Sequence, residues 1–181
     1  MLKSKIRKRI LNIRKKRNNK NIKFSFQKIF SEIKTKISKK KIIGGYYPVN
    51  FEIDILDVLQ ELEAKSLQLC LPAVKKNNEM DYYMWSTKNL LKVNKYGIPE
   101  PEQIKKVIPD IIFVPIVAFD NRLYRIGYGG GYYDRYIQKL SNKKKLFKIG
   151  IAHSCQKINK VPINKYDKKL DIIITEKYIL R

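Results

Sequence analysis

The chain has 181 residues, a length that fits one domain built around a single substantial core. Its hydrophobic fraction of 44% excludes a largely disordered protein, because disordered chains lack the apolar residues needed to form a core. No apolar run approaches the roughly 18 residues of a membrane span, which excludes an integral membrane protein and predicts a cytoplasmic one. We therefore expect one domain over residues 1–181.

The net charge of +24 is the most unusual feature of the composition. Such a charge suggests a partner that is itself polyanionic, and an RNA-binding or ribosome-associated protein is the competing interpretation. The excess comes from 32 Lys against only 8 Arg, and Asn and Ile are also abundant. This pattern favours a coding bias toward A and T over a phosphate-binding surface, since Arg is the more informative residue for phosphate recognition. We expect no nucleic-acid partner.

Two cysteines, Cys70 and Cys155, lie in apolar sequence and show neither CxxC nor metal-ligand spacing. This spacing predicts free, buried thiols in a reducing compartment.

The first 40 residues read as two helices. Between Lys3 and about Arg17, apolar residues recur every three or four positions among Lys and Arg, which is typical of a basic amphipathic helix. A break at Asn18 and Asn19 precedes a second helical pattern, whose apolar residues are Phe24, Ile29, Phe30, Ile33 and Ile37.

Strands then alternate with helices along the chain. Short apolar runs predict strands at 42–43, 67–71, 80–85, 111–114, 148–152 and 171–174; Pro72 closes the second, and 97–101 is a rigid loop. Helical periodicity predicts helices over 54–65 and 132–140. Several of these strands lack alternation, as expected when both faces are covered. The predicted fold is therefore α/β, an open mixed and largely parallel sheet with helices on both faces after a helical N-terminal segment.

A glycine-rich run at 125–134, Arg-Ile-Gly-Tyr-Gly-Gly-Gly-Tyr-Tyr-Asp, is the most informative segment. Four of the eight glycines of the chain lie here within five residues. Glycine lets consecutive amides approach an anion closely, and a helix starting at Tyr132 adds its positive end, which predicts a phosphate cradle. The spacing matches neither GxxxxGK[ST] nor GxGxxG. The alternative is a plain glycine turn between strand and helix.

This run, together with Val-Pro-Ile-Val-Ala-Phe-Asp at 114–120, resembles the signature of the 5-formyltetrahydrofolate cyclo-ligase family. Further matching segments occur in the order of that family, at Lys3 with Ile6 and Arg7, Glu52, Leu71 with Pro72, Met80, 97–101, 148–153, Pro162, Asp167, Asp171 and Thr175. The resemblance therefore covers nearly the whole chain.

The resemblance implies an ATP-driven ring closure that converts 5-formyltetrahydrofolate to 5,10-methenyltetrahydrofolate. The formyl oxygen is phosphorylated, N10 attacks the formyl carbon, and phosphate leaves. Because phosphate is a far better leaving group than an amide oxygen, the work of the protein is mainly alignment and charge neutralisation. The resemblance also implies a monomer that needs Mg²⁺.

The resemblance further implies the site residues. ATP contacts fall on Lys3, Ser4, Lys5, Ile6, Arg7, Arg125, Ile126, Gly127, Tyr128, Gly129, Gly130, Gly131, Tyr132 and Tyr133. Folate contacts fall on Glu52, Tyr128, Gly129, Gly130, Gly131 and Tyr132, and catalytic roles on Arg125 and Tyr133. Metal ligands fall on Asp134 and Asp167, with Asp171 as the alternative to Asp167. One or two carboxylates completed by phosphate and water suit magnesium.

Two residues depart from the family pattern, since Ile116 and Leu123 stand where the family usually has glycine. Their geometry bears on the loops beside the site, because a bulky residue is strained wherever the backbone needs a positive φ. His153, the single histidine, ends a predicted strand and is expected to be structural. A kinase or other transferase that shares the phosphate loop is a third interpretation, distinguishable by ATP use without any change in folate.

Overall fold

The structure is a computed structural model that describes residues 2–17, 25–36, 41–75, 77 and 79–181. Within these ranges it contains the helices α1 (Lys3–Arg17), α2 (Phe26–Ile33), α3 (Leu56–Ala64) and α4 (Tyr132–Leu140). A short 3₁₀ helix spans Ser154–Gln156. The helices predicted at 3–17 and 132–140 are confirmed at those bounds, and the one at 54–65 is slightly shorter. Phe24 and Ile37, assigned to the second helix, lie outside the described residues.

The strands within the described ranges are mostly short. They are β1 (Ile42–Gly44), β2 (Gln68–Val74), β3 (Met80–Trp85), β4 (Lys92–Val93), β5 (Pro99–Glu100), β6 (Lys106–Val107), β7 (Ile111–Pro115), β8 (Ala118–Phe119), β9 (Arg125–Ile126), β10 (Phe147–Ile151), β11 (Ile172–Ile174) and β12 (Ile179–Leu180). Every strand predicted from an apolar run is present, and the loop predicted at 97–101 contains the two-residue strand β5.

One sheet of eight strands organises the fold, in the order β12-β11-β10-β7-β1-β2-β3-β6. The five central strands, from β11 to β2, run parallel to one another. Antiparallel strands flank them, with β12 at one edge and β3 with β6 at the other. Two small hairpins, β4-β5 and β8-β9, stand outside this sheet. The prediction of a mixed, largely parallel sheet is confirmed.

Helices cover both faces of the sheet. One face buries α2 and α3 in a cluster that includes Ile29, Leu59 and Phe113. The opposite face buries α4 in a cluster that includes Tyr136 and Val114. Neighbouring strand residues such as Phe113 and Val114 are both fully buried, which explains why the strand sequences show no polar alternation.

The N-terminal helix α1 packs against the β8-β9 hairpin instead of the large sheet. Its residues Ile6 and Ile10 are buried beside Val117, Ala118 and Ile126. The charged side chains of α1 face outward, except those described with the site below. The hairpin carries the glycine run directly after β9, so its packing places α1 next to that run.

The strand predicted to stop at Pro72 instead continues to Val74, so that prediction is corrected. Pro72 pairs with Tyr82 of the antiparallel neighbour β3. The N–H of Val74 donates to the side chain of Glu100 at 3.1 Å and so points away from β3. Because backbone N–H groups alternate in direction along a strand, the nitrogen of Pro72, two residues earlier, points away from β3 as well. On that side β1 ends opposite Cys70, and the missing N–H of Pro72 therefore breaks no strand pairing.

The two departures from the family pattern have different structural consequences. Leu123 has a φ of 67°, so it holds the left-handed conformation that favours glycine, while its side chain is buried. Ile116 has no positive φ and is buried against Gly150. Both positions thus accommodate a side chain, the first through backbone strain and the second through a glycine on the neighbouring strand.

A side chain added at Gly150 is expected to be destabilising. A Cβ there would lie 2.5 Å from the Cδ1 of Ile116 and 2.7 Å from that of Leu170. Gly150→Ala should therefore lower the free energy of unfolding by about 1–3 kcal/mol through overpacking. Urea denaturation measures the loss, and adding Ile116→Val to the variant should recover part of it because Cδ1 is removed. A Gly150→Ala protein as stable as the parent would contradict this packing.

Candidate functional site

The candidate site lies where the parallel strands end. The segments that follow β1, β7 and β10 begin at Gly45, Ile116 and Ala152, on the same edge of the sheet. Contacts described below bring two further parts of the chain to this region. They are the glycine run between β9 and α4, and the side of α1 that faces the β8-β9 hairpin. Ligands of open α/β sheets bind at this edge, outside the carboxyl ends of the strands.

The glycine run forms a tight loop that leads into α4. Gly129 has a φ of 115° and Gly131 a φ of 67°, so both adopt conformations that side chains disfavour. Gly131 immediately precedes α4 and caps it with left-handed backbone. The first amides of α4 thus open toward the loop, as in anion-binding helix starts.

Arg7 lies directly over this loop. Its Nε donates to the carbonyl oxygen of Gly127 at 2.7 Å. A Cβ built on Gly129 would lie 3.5 to 3.7 Å from the guanidinium of Arg7. The cation and the exposed backbone of the loop are therefore adjacent, an arrangement suited to a phosphate group.

Arg125 and Asp134 form an ion pair beneath the loop. The Arg125 guanidinium, only 3% exposed, donates through Nη2 to Asp134 Oδ1 at 2.9 Å and through Nη1 to the carbonyl of Lys168 at 2.8 Å. The backbone N–H of Lys168 also donates to Asp134 Oδ1, at 2.9 Å. Both donors to Asp134 use the same oxygen, and the Asp134 side chain remains 26% exposed. Arg125 therefore orients Asp134 and ties segment 167–168 to the start of α4.

Lys3 pairs with Asp167, the other predicted metal ligand. The Nζ of Lys3 lies 2.7 and 2.6 Å from the two carboxylate oxygens of Asp167. Because Lys168 contacts Asp134, the chain places Asp167 near that carboxylate as well. The structure thus brings together residues that are far apart in sequence, from α1, from the glycine loop and from segment 167–168.

The alternative metal ligand, Asp171, lies at the other end of the parallel strands, where they begin. It precedes β11, and its carboxylate accepts from the backbone N–H and the Nζ of Lys148 near the start of β10, at 2.6 and 2.8 Å. Among the residues that the structure describes, no three His, Cys, Asp or Glu side chains form a metal-binding group. Asp171 is therefore separated from the other predicted site residues.

Glu52 is partly buried beside a strained turn. Residues 49–52 form a tight turn in which Asn50 and Phe51 have φ values of 48° and 62°. Glu52 Oε2 accepts from the N–H of Val49 at 2.9 Å, while Oε1 is buried without a partner among the described residues. Burial raises the pKa of Glu52 to about 7, opposed by the Val49 bond, the charge of Arg14 and the Tyr128 hydroxyl.

Tyrosines from the glycine run complete this pocket. Burial, reinforced by the nearby charge of Glu52, raises the pKa of Tyr128 to about 12. The same two causes raise the pKa of Tyr133 well above its usual value. Both hydroxyls therefore stay protonated at neutral pH. Tyr132 points elsewhere, with its hydroxyl 2.8 Å from that of Tyr96.

The remaining predicted ATP contacts divide by exposure. Ser4 and Lys5 are exposed on α1, whereas Ile6 is buried in the cluster against the β8-β9 hairpin. Ile126 is buried in that same cluster. Of the stretch 3–7, the side chains of Lys3 and Arg7 are the ones directed at the glycine loop and segment 167–168.

Sequence reasoning missed Arg14 as a site residue. Arg14 is 1% exposed and its guanidinium reaches Asn50, Ile116 and Tyr128. A signal was present, because Arg14 follows Ile6 and Ile10 at four-residue spacing and so continues the buried stripe of α1. A charged residue in that stripe indicates a partner across the helix interface.

His153 also lies close to this pocket. Its Nδ1 is buried without a partner among the described residues. Burial lowers the pKa of His153, partly offset by the carboxylate of Glu176. The side chain is therefore neutral at neutral pH, and its assignment as structural stays a prediction.

An open groove of about 700 Å³ lies on another side of α1. It is lined by Ile6, Arg9 and residues 157–163. Neither Glu52 nor the glycine loop lines this groove. We therefore locate the candidate site from the contacts around the loop and not from the groove.

The fold and this site define an α/β protein with a glycine loop before a helix, at the carboxyl ends of parallel strands. The family model for the 5-formyltetrahydrofolate cyclo-ligase family matches residues 1–176. A 5-formyltetrahydrofolate cyclo-ligase of Haemophilus influenzae is 33% identical over 144 residues, covering 74% of this chain and 75% of that protein. One of Mycoplasma pneumoniae is 32% identical, covering 75% and 73%.

Solved structures agree with these matches. The 5,10-methenyltetrahydrofolate synthetase of Aquifex aeolicus has a TM-score of 0.77 at 34% identity, covering 100% of this chain and 93% of that one. The synthetase of Mycoplasma pneumoniae has a TM-score of 0.66 at 28% identity, covering 97% and 99%. The chain belongs to the 5-formyltetrahydrofolate cyclo-ligase family, and the resemblance noted in the sequence is confirmed. None of the described helices is both long and apolar enough to cross a membrane.

Proposed function

We propose that this chain catalyses the ATP-dependent cyclisation of 5-formyltetrahydrofolate to 5,10-methenyltetrahydrofolate, with release of ADP and phosphate. The observation that carries the proposal is the position of the glycine loop, which lies under Arg7 on one side and contributes Tyr128 to the Glu52 pocket on the other. A phosphate-type site and a buried acceptor for ring donors are thus adjacent, and membership of the family supports the same reaction.

The proposed reaction needs little covalent participation by the protein. The formyl oxygen attacks the γ-phosphorus and ADP leaves; N10 then attacks the formyl carbon, gives up its proton, and phosphate departs with the former formyl oxygen. Each step depends on alignment of the formyl oxygen with the γ-phosphoryl group and on neutralisation of phosphate charge. In the proposed complex, the positive charges of Arg7 and Lys3 and the N–H groups of the loop neutralise the phosphate charge.

The remaining roles follow the placement of the side chains. We assign ATP contacts to the side chains of Lys3 and Arg7, to the backbone of residues 127–131 and to Tyr133, and folate contacts to Glu52 and residues 128–132. Tyr133, held protonated, serves as a hydrogen-bond donor to the reacting groups. Arg125 acts through Asp134, because its terminal nitrogens are bonded to Asp134 and to the Lys168 carbonyl.

Mg²⁺ belongs to the proposal, with Asp134 and Asp167 as the residues that would hold it. Asp134 fits this role, because Arg125 and Lys168 both donate to Oδ1 and the side chain is partly exposed. The carboxylate of Asp167 is bonded to Lys3, so Lys3 competes with a metal for it. When bound, magnesium neutralises charge on the phosphates.

We further propose that residues 1–181 act as one cytoplasmic domain, as a monomer without a nucleic-acid partner. The free thiols of Cys70 and Cys155 support a reducing compartment, although Cys155 is only partly buried and not fully buried as predicted. Binding to RNA, if present, would weaken steeply with salt, so a salt titration tests this part of the proposal.

Absorbance of the folate tests the function directly. Purified protein is expected to convert 5-formyltetrahydrofolate to the methenyl product only when ATP and Mg²⁺ are both present. Reactions lacking either one serve as controls, and ADP release is measured in parallel. ATP consumption with unchanged folate would favour the transferase interpretation, and no reaction under any of these conditions would contradict the proposal.

A further inference from the structure

Arg14 is a buried cation without a bonded counter-ion among the described residues. Its hydrogen bonds go to the carbonyls of Ile116 and Asn50, at 3.2 and 2.6 Å, and to the hydroxyl of Tyr128. All three partners are neutral oxygens, and Nε is buried with no partner in the part of the chain that the structure describes. Burying a guanidinium in this way is unfavourable for stability, so its presence calls for a further reason.

The three partners of Arg14 belong to three different walls of the candidate site. Asn50 is in the strained turn that carries Glu52, Ile116 follows the end of β7, and Tyr128 is in the glycine loop. The Arg14 guanidinium also lies 5.7 Å from the centre of the Tyr128 ring. A single side chain thus connects α1, which carries Lys3 and Arg7, to the pocket around Glu52.

The charge of Arg14 also acts on the groups inside the pocket. Glu52 interacts with Arg14 from α1, with Tyr128 from the glycine loop, with Tyr133 from α4, and with Tyr46 from the segment before its own turn. Arg14 is the cation of this set, and it favours the ionised form of Glu52 against the effect of burial. On its other side it faces the neutral imidazole of His153.

We propose that Arg14 is a positioning residue for folate binding, which holds the Glu52 turn and Tyr128 in place beside the site of the pterin ring. The inference rests on the proposed function. It adds a residue that the resemblance does not assign, and it explains why the buried stripe of α1 ends in a cation.

Three variants of Arg14 and its partner separate this role from a purely structural one. Arg14→Met removes the charge and the donors but keeps an unbranched side chain of similar length. Arg14→Lys keeps the charge without the planar fork. Tyr128→Phe removes the hydroxyl that Arg14 reaches. Lys15→Met, at an exposed neighbouring position of α1, is the matched control.

The kinetic parameters to measure are the KM for 5-formyltetrahydrofolate, the KM for ATP and kcat, each as a function of pH around neutrality. Arg14→Met should raise the KM for folate at least about tenfold, the effect of one lost charged hydrogen bond, and leave the KM for ATP within about threefold. Loss of folate affinity on acidification should also begin about one pH unit higher than in the parent. Arg14→Lys should keep the parental pH dependence, and Lys15→Met should match the parent throughout.

Two outcomes would overturn the inference. One is a parental folate KM and pH dependence in Arg14→Met; the other is an equal rise of both KM values. If Arg14→Met fails to fold, Arg14→Lys decides, since it should raise the folate KM while the KM for ATP stays near the parental value; Tyr128→Phe measures the share of that rise that comes from the Tyr128 hydroxyl. An inactive parent protein would contradict the proposed function itself, whereas an active parent with insensitive variants contradicts this inference alone.

Discussion

Asp134→Ala is expected to lose both stability and activity, whereas Asp134→Asn should lose activity alone. Alanine leaves the Arg125 guanidinium, 3% exposed, with the Lys168 carbonyl as its remaining hydrogen-bond partner among the described residues. Unpairing a buried cation costs about 3 kcal/mol, the lower end of the usual range because Asp134 is partly exposed. Asparagine keeps an oxygen for the Arg125 and Lys168 donors but lacks the negative charge that a magnesium ion needs.

The experiment pairs thermal unfolding with turnover at saturating ATP and a series of magnesium concentrations. Asp134→Asn should unfold near the parental Tm and turn over about a hundredfold more slowly or worse, the scale expected for loss of metal-assisted charge neutralisation. Asp57→Asn, an exposed aspartate in the first turn of α3, serves as the control. Parental turnover in Asp134→Asn would show that Asp134 acts only as the partner of Arg125.

The parts of the fold that follow local patterns were predictable from sequence. Helix α4 begins directly after Gly131, the last glycine of the run, and ends at its last apolar residue, Leu140. Its bounds therefore agree with the periodicity. The buried strands β7, β10 and β11 were visible as short apolar runs because both of their faces are covered. These features depend on residues that are neighbours in the chain.

The errors arise where a distant part of the chain decides the structure. Pro72 was expected to end a strand, yet its nitrogen faces the side on which β1 has already stopped. The stripe position of Arg14 on α1 was not recognised, since its partners lie 36 to 114 residues away. No local pattern reveals an acceptor that far along the chain.

The site itself was partly predictable for the same reason. The composition of the glycine run predicts a tight loop leading into a helix, and the structure has that loop, with Gly131 directly before α4. The pairing of Lys3 with Asp167, across 164 residues, and of Arg125 with Asp134 could not, because it depends on how the loops meet at the sheet edge. The contacts also show that two predicted ligand-binding residues, Lys3 and Arg125, are paired with the two predicted metal ligands.

Glu52→Gln is expected to stabilise the protein at neutral and alkaline pH while weakening folate binding. The pKa of Glu52 is raised from 4.5 to about 7, so the folded state holds a proton that the unfolded state releases between these values. Stability from this group is therefore greatest below about pH 4.5 and falls as the pH rises through 7. The full difference corresponds to about 3 kcal/mol, which is the cost of keeping the carboxylate ionised in its buried position.

Removal of that charge should remove the stability cost and weaken folate binding together. Glu52→Gln should have a higher free energy of unfolding than the parent above pH 7, and the difference should close as the pH falls toward 4.5. Urea denaturation at several pH values measures this difference. The KM for 5-formyltetrahydrofolate should rise about ten- to hundredfold, because a charged acceptor becomes a neutral one. Glu61→Gln, exposed on α3, controls for general charge effects. A constant difference in stability across this pH range would refute the raised pKa of Glu52. An unchanged KM would remove Glu52 from the folate site. A carboxylate that lowers stability but is needed for binding is the trade-off expected of a functional residue.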